Sequence, residues 1–148
     1  MLRRFTVTTA AVAVLAGVAV APAMAAPTPT LTAAPSTAAE IPNEVDVASA
    51  NFDQVMEWSK TKPVVLDFTA SWCGACQAQK PYLEKYNKED NGKWVWARVD
   101  VDTNQELSDR YHIEYIPTLI DIKKGEEAGS RQVGFDAPES LRAWLNKL

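Results

Sequence analysis

The sequence predicts an α/β domain built on a central mixed β-sheet flanked by helices on both faces. Three observations predict it. Val64 to Phe68 is a β-branched and aromatic run that starts just after Pro63, the pattern of a buried strand. Helix-like and strand-like segments alternate on both sides of it, as parallel crossover units do. Thr118 to Ile122 then reads as a strand that stops at Lys123-Lys124-Gly125, a turn, so that a βαβ half is followed by a ββα half and the sheet is mixed.

Taken from the N-terminus, residues 1–25 begin with Arg3 and Arg4, continue through an apolar stretch of roughly a dozen residues and end in Ala23-Met24-Ala25, small at both positions a signal peptidase inspects. We expect a signal peptide cleaved after Ala25 and therefore an exported protein, in a bacterial periplasm or cell envelope or secreted. The apolar stretch falls short of the ~20 residues of a membrane span, and Pro22 interrupts its end. An uncleaved leader acting as a membrane anchor is the alternative. Val18 stands where a lipoprotein signal would need cysteine, and the residues around Arg3-Arg4 fit a twin-arginine signal poorly. Residues 26–40 are Ala, Pro, Thr and Ser almost throughout, with one leucine and no aromatic. They cannot bury enough apolar surface to offset ordering entropy, and they read as a flexible linker.

The folded domain is expected over residues 41–148, which hold all five tryptophans. Phe52, Val55, Met56 and Trp58 mark a first amphipathic helix, with Ser49 or Asn51 as its cap. After the Val64–Phe68 strand, residues 77–90 have helix-forming composition with Leu83 and Tyr86 at apolar spacing, and Pro81 should kink that helix about two turns in. Trp94 to Val101 reads as a strand, Gln105 to Tyr111 as a short helix, and Arg131 to Phe135 as an edge strand. Asp136, Pro138 and Glu139 start a last helix that carries Leu141, Trp144, Leu145 and Leu148 on one face. Loss of the leader removes two of the 15 basic residues and none of the 19 acidic ones, leaving a formal charge of −6. That balance gives no support to nucleic-acid binding or to adhesion on anionic lipid.

The chemistry concentrates in the only two cysteines, Cys73 and Cys76, with Gly74 and Ala75 between them. A zinc site wants four ligands, and the chain adds only His112 and no second C-x-x-C, so no metal is expected. A structural disulfide closing two intervening residues would remove little loop entropy. The third reading is dithiol chemistry, which fits the position of Cys73 where a central strand gives way to a helix. Unpaired N–H groups and the macrodipole at a helix N-terminus favour a thiolate, which gives Cys73 a depressed pKa. Cys76, three residues on, should lie one turn deeper and less exposed. On this asymmetry Cys73 attacks a substrate disulfide and Cys76 resolves the mixed disulfide by attacking the Cys73 sulfur. Gly74 allows a tight turn and leaves space for an incoming chain.

The run Asp67-Phe68-Thr69-Ala70-Ser71-Trp72-Cys73-Gly74-Ala75-Cys76, with Pro81 after the second cysteine and Ile116-Pro117-Thr118 further on, resembles the thioredoxin family over about 100 residues. The resemblance implies the thioredoxin fold and a protein disulfide oxidoreductase with no cofactor beyond the redox-active Cys73–Cys76 pair. It makes Pro117 a cis-proline beside the dithiol. Ile116 would line the substrate groove and offer backbone groups to an extended client segment. Trp72 would form an apolar wall beside Cys73, with Gly74 and Ala75 facing the substrate. Asp67 becomes a buried carboxylate whose pKa is raised by desolvation and which exchanges a proton with Cys76. Gly134 matches the glycine of the substrate-facing loop, and Gly125 the hairpin glycine. Arg98 stands where the family often has lysine; it either tunes Asp67 or is a strand-edge charge. His112 is expected at a helix end without a catalytic role.

Two departures bear on direction. Ala75 replaces the proline of the common C-G-P-C sequence, and the residues between the cysteines influence redox poise. Thr69 stands where cytosolic members usually have an aromatic residue, and F-T-A-x-W-C resembles more the C-terminal domain of transmembrane thiol-reductant carriers of bacterial envelopes. The expected function is thus an extracytoplasmic thiol–disulfide oxidoreductase, with reduction the favoured direction. Its expected partners are disulfide-containing client proteins and a membrane thiol-reductant carrier as electron donor, and the chain is expected to be a monomer. The alternatives are a disulfide-introducing oxidase and a non-catalytic thioredoxin-fold adaptor.

Overall fold

A computed structural model describes residues 40–148, so the expected signal peptide and all but the last residue of the expected linker lie outside the described residues. Nine elements follow in order: β1 (Glu44–Asp46), α1 (Phe52–Trp58), β2 (Val64–Thr69), α2 (Gly74–Glu89), β3 (Val95–Asp100), α3 (Gln105–Arg110), β4 (Thr118–Lys123), β5 (Glu126–Val133) and α4 (Pro138–Leu145). The sheet order is β1-β3-β2-β4-β5. β1 and β2 run parallel to β3, whereas β4 is antiparallel to both β2 and β5. The expected mixed sheet is present, with β2 at its centre.

Alternation along the strands assigns the two faces. Val64, Leu66, Phe68, Val95, Ala97, Val99, Ile120 and Ile122 point to one face, where Phe52 and Val55 of α1 and Leu107 of α3 cover them. Val65, Trp96 and Leu119 point to the other, against Leu83 and Tyr86 of α2 and Leu141, Trp144 and Leu145 of α4. Both faces of β2 are therefore dry, which is why its sequence is an unbroken apolar run interrupted only by Asp67.

Three sequence expectations shift. β1 was not foreseen. β5 begins five residues before the expected Arg131 and ends at Val133, short of Phe135. Pro81 lies inside α2, about two turns from its start, where the sequence placed it. Asn51 occupies the N-cap of α1, yet its side chain does not cap the helix: Oδ1 accepts from the Ala48 N–H and Nδ2 donates to the Asp46 carbonyl, tying β1 to α1. At the β4–β5 turn Lys124 and Gly125 have φ of 55° and 82°, a left-handed pair suited to a tight hairpin, so Gly125 holds the place expected of it.

Candidate active site

Strand β2 ends at Thr69, and the chain crosses Ala70 to Trp72 before entering α2. Cys73 is the N-cap residue of α2, with extended backbone angles, and its Sγ accepts the Cys76 backbone N–H at 3.1 Å. The sulfur thus occupies the position usually taken by a capping oxygen, in front of the positive end of a 16-residue helix. Cys73 and Cys76 are bonded to each other as a disulfide, with their Cα atoms 5.2 Å apart.

Exposure does not separate the two cysteines. Cys73 is 6% and Cys76 5% exposed, because both pack with Ala70 under Val101 and Ile116. The asymmetry between them lies in hydrogen bonding, since it is Cys73 Sγ that receives the helix N–H. Gly74 also acts differently from expectation. Its φ is not in the left-handed region, and a Cβ there would meet nothing within 4 Å. Its contribution is open surface beside the sulfur, shared with exposed Ala75, and the turn itself does not require glycine.

Ile116–Pro117 is a cis peptide, as the resemblance implied. Ile116 packs on the cysteine cluster, and no backbone hydrogen bond engages it among the described residues. Pro117 is tied by its carbonyl to the N–H of Gly134 at 2.8 Å, which brings the loop after β5 alongside the cis bond. Gly134 has φ of 77°, a conformation that favours glycine. Trp72 is 66% exposed beside Cys73, and its indole N–H donates to Asp102 Oδ2 at 2.8 Å. It is an exposed platform with a fixed orientation. Tyr115 and Val133, 69% and 54% exposed, lie next in sequence to Ile116 and Gly134 and line a shallow pocket together with Thr118 and Arg131.

Asp67 is 4% exposed on the α2 face of β2. Burial pushes its pKa up to about 6, against a hydrogen bond from Trp96 and the charge of Arg98, which both pull it down. With Cys76, Thr69, Lys80, Arg98 and Asp100 it lines a cavity of about 410 Å³ that opens beside the N-terminal turn of α2. Arg98 does not bond to Asp67. Its Nε donates to Asp46 Oδ1 at 2.8 Å and its guanidinium lies over the Trp96 ring, so it is an edge charge that reaches Asp67 only through space. His112, exposed and at φ 50° just past α3, stands outside this group.

All the site residues expected from the sequence thus gather at one end of the sheet. Sequence reasoning missed Trp96 and Asp102. The signal for Asp102 was available: a polar residue just past the C-terminal end of β3, on the rim where sites of α/β folds form. Trp96 offered one too, since a buried indole N–H needs an acceptor.

The family model for thioredoxin matches residues 43–147. The chain is 41% identical over 86 residues to "Thioredoxin, mitochondrial" of Mus musculus, covering 58% of this chain and 51% of that protein. It is 40% identical over 96 residues to the thioredoxin of Bacillus subtilis, covering 64% of this chain and 91% of that protein. Against the thioredoxin of Alicyclobacillus acidocaldarius it is 36% identical over 99 residues, covering 67% and 91%. The chain thus spans about half the length of the mitochondrial relatives it matches and nearly all of the two bacterial ones.

Proposed function

The chain belongs to the thioredoxin family, and from that premise we propose that it is an extracytoplasmic thiol–disulfide oxidoreductase that reduces disulfides of client proteins. The single observation that carries this reading is the Cys73–Cys76 disulfide at the N-terminus of α2, with the Cys76 N–H directed at Cys73 Sγ and the cis Ile116–Pro117 bond alongside.

The steps follow from that geometry. In the reduced protein the helix end and the Cys76 N–H stabilise a Cys73 thiolate. An extended client segment lies along Ile116, whose backbone is free to pair, while Trp72, Tyr115 and Val133 contact its side chains. Cys73 sulfur attacks one client sulfur; the client S–S bond breaks and the second client sulfur leaves as a thiolate. Cys76 then gives its proton to Asp67 and attacks Cys73 Sγ. The bond from Cys73 to the client breaks, and the first client sulfur leaves. Two electrons have passed to the client, and the cysteine pair ends as the disulfide seen in the structure. A membrane thiol-reductant carrier is proposed to return those electrons, and the protein to act as a monomer.

Export rests on residues 1–25, whose basic start, short apolar run and Ala-Met-Ala end have the grammar of a signal peptide. Reductive direction rests on the resemblance around Thr69 to envelope reductant carriers.

Insulin reduction in dithiothreitol tests the activity: wild type should turn over, and Cys73→Ser should abolish it, whereas undiminished turnover in that variant would sink the proposal. Cys76→Ser should accumulate mixed disulfides, and their identification names the clients. An equilibrium potential against glutathione near that of thioredoxin, about −270 mV, supports reduction; one near −120 mV makes the protein an oxidant. Mass analysis of the protein recovered outside the cytoplasm should show a chain beginning at Ala26.

A further inference from the structure

The buried carboxylate at the floor of the site is not symmetric. Asp67 Oδ2 accepts the indole N–H of Trp96 at 2.9 Å, whereas Asp67 Oδ1 is buried with no hydrogen-bond partner among the described residues. Trp96 comes from β3, is fully buried, and lines the same cavity as Asp67 and Cys76. Arg98 lies over its ring, 4.9 Å from guanidinium to centroid, and is itself held by Asp46, so the indole is fixed on its face as well as at its edge.

Resting on the oxidoreductase reading above, we propose that Trp96 is a positioning residue for the resolving step: it holds Asp67 through Oδ2, so that the proton exchanged with Cys76 is carried on Oδ1. An indole N–H can donate and cannot accept. Oδ2 is therefore engaged as an acceptor, and a proton placed on it would weaken that bond. Oδ1 has no competing donor, and a proton there leaves the Trp96 bond intact. When Cys76 attacks Cys73 Sγ, its S–H proton passes to Oδ1 directly or across the cavity both residues line, while the pair of electrons from the S–H bond forms the new S–S bond. The groups that face Asp67 otherwise are Arg98 and Asp100 from β3, Lys80 from α2 and Asp46 from β1, all on the cavity wall and none within bonding distance of Oδ1. Of these, the charge of Arg98 pulls the Asp67 pKa down, and none of the four bonds to Oδ1.

The donor also sets where Asp67 titrates. A hydrogen bond to the ionised form opposes burial, so its loss should raise the Asp67 midpoint from about 6 by about one pH unit. The test follows the Trp96 indole N–H and the Asp67 carboxyl by NMR against pH in the full chain, reduced, together with the pH dependence of mixed-disulfide resolution. In wild type the indole resonance should titrate with the midpoint of Asp67, and in Asp67→Asn it should not titrate. In Trp96→Phe the Asp67 midpoint and the acid limb of resolution should move upward together. A wild-type indole resonance that ignores pH, a requirement of wild type alone and independent of how the variant folds, would overturn the proposal. So would an Asp67 midpoint unmoved in Trp96→Phe, leaving Asp67 as the base if Asp67→Asn still abolishes the limb. A midpoint that moves while the limb stays put would overturn both this role and proton transfer to Asp67, and would leave the cysteine chemistry standing.

Discussion

Trp72 is a large indole left mostly in water next to Cys73. Its hydrogen bond to Asp102 holds the ring beside Cys73 and contributes little to stability, because an exposed neutral-to-charged bond is largely exchanged with water. Asp102→Ala should therefore leave the unfolding free energy within about 1 kcal/mol of wild type. It should lower kcat/KM for a protein disulfide roughly fivefold, since a freely rotating indole must be ordered anew at each encounter. Urea unfolding and insulin reduction on the same preparations check the two halves, and equal activity with a loosened Trp72 would remove the platform role. The contrast with Cys73, Asp67 and Pro117 shows what a sequence can reveal of a site. Cys73 and Asp67 stand out because their chemistry is odd for their place, a thiol at a helix start and a carboxylate in an apolar strand. Pro117, ordinary at a strand start, was singled out by the family resemblance alone. Trp96 and Asp102 do not stand out. An aromatic in a strand and an acid at a strand end are ordinary, and what makes them functional is a pairing with residues 29 and 30 positions away.

At the scale of elements, the last helix is joined to the end of the long one by a compact polar clamp. Asp90, the C-cap of α2, accepts two hydrogen bonds from Arg142 of α4, at 2.8 and 2.6 Å, and one from the Trp94 indole at 2.8 Å. The Arg142 hydrogen bonds, foremost, and the Trp94 bond hold the Asp90 pKa below its ordinary 3.8, with burial opposing them. A carboxylate depressed in the folded state contributes stability that is present above its unfolded pKa and lost as pH falls through its folded pKa. Arg142→Ala should thus cost on the order of 2 kcal/mol at pH 7, a drop of several degrees in Tm. Thermal unfolding followed from pH 6 downward should find the gap between variant and wild type closing below pH 4; a gap that persists in acid would assign the loss to packing. The elements that sequence foretold, α1 through β4 and α4, are those whose apolar residues repeat with a period of their own. β1 has none to show: only Val45 of Glu44-Val45-Asp46 turns inward, and the segment is a strand because the backbone of β3 pairs with it. β5 is an edge with charged residues and a left-handed Gly129 opposite the irregularity between Leu119 and Asp121, so its strand character also comes from its partner.

Across the whole molecule, the site and the fold compete at one residue. The sheet buries both faces of β2, and Asp67 lies within that dry layer with one oxygen unpaired. A carboxyl whose pKa rises from 3.8 to about 6 on folding binds protons more tightly in the native state than in the unfolded chain. The sign of the linkage is then opposite to that of Asp90. The contribution of Asp67 to stability is most favourable below pH 4, falls as pH climbs through the interval between the two values, and levels off above about 6 with a standing penalty. Two pH units of displacement correspond to on the order of 3 kcal/mol. Asp67→Asn removes that penalty while keeping an acceptor for the Trp96 N–H, so the variant should be more stable than wild type by an amount approaching this figure at pH 7 to 8. It should be indistinguishable from wild type near pH 3.5, where both side chains are neutral. Urea titrations at the two pH values decide it. A variant no more stable than wild type at neutral pH would mean that Asp67 is solvated well enough to ionise freely, and a base with an ordinary carboxylate pKa would have little drive to take the proton of Cys76. The same measurement thus reads the cost to the fold and the fitness of the group for its chemistry, because both arise from the burial of one carboxyl.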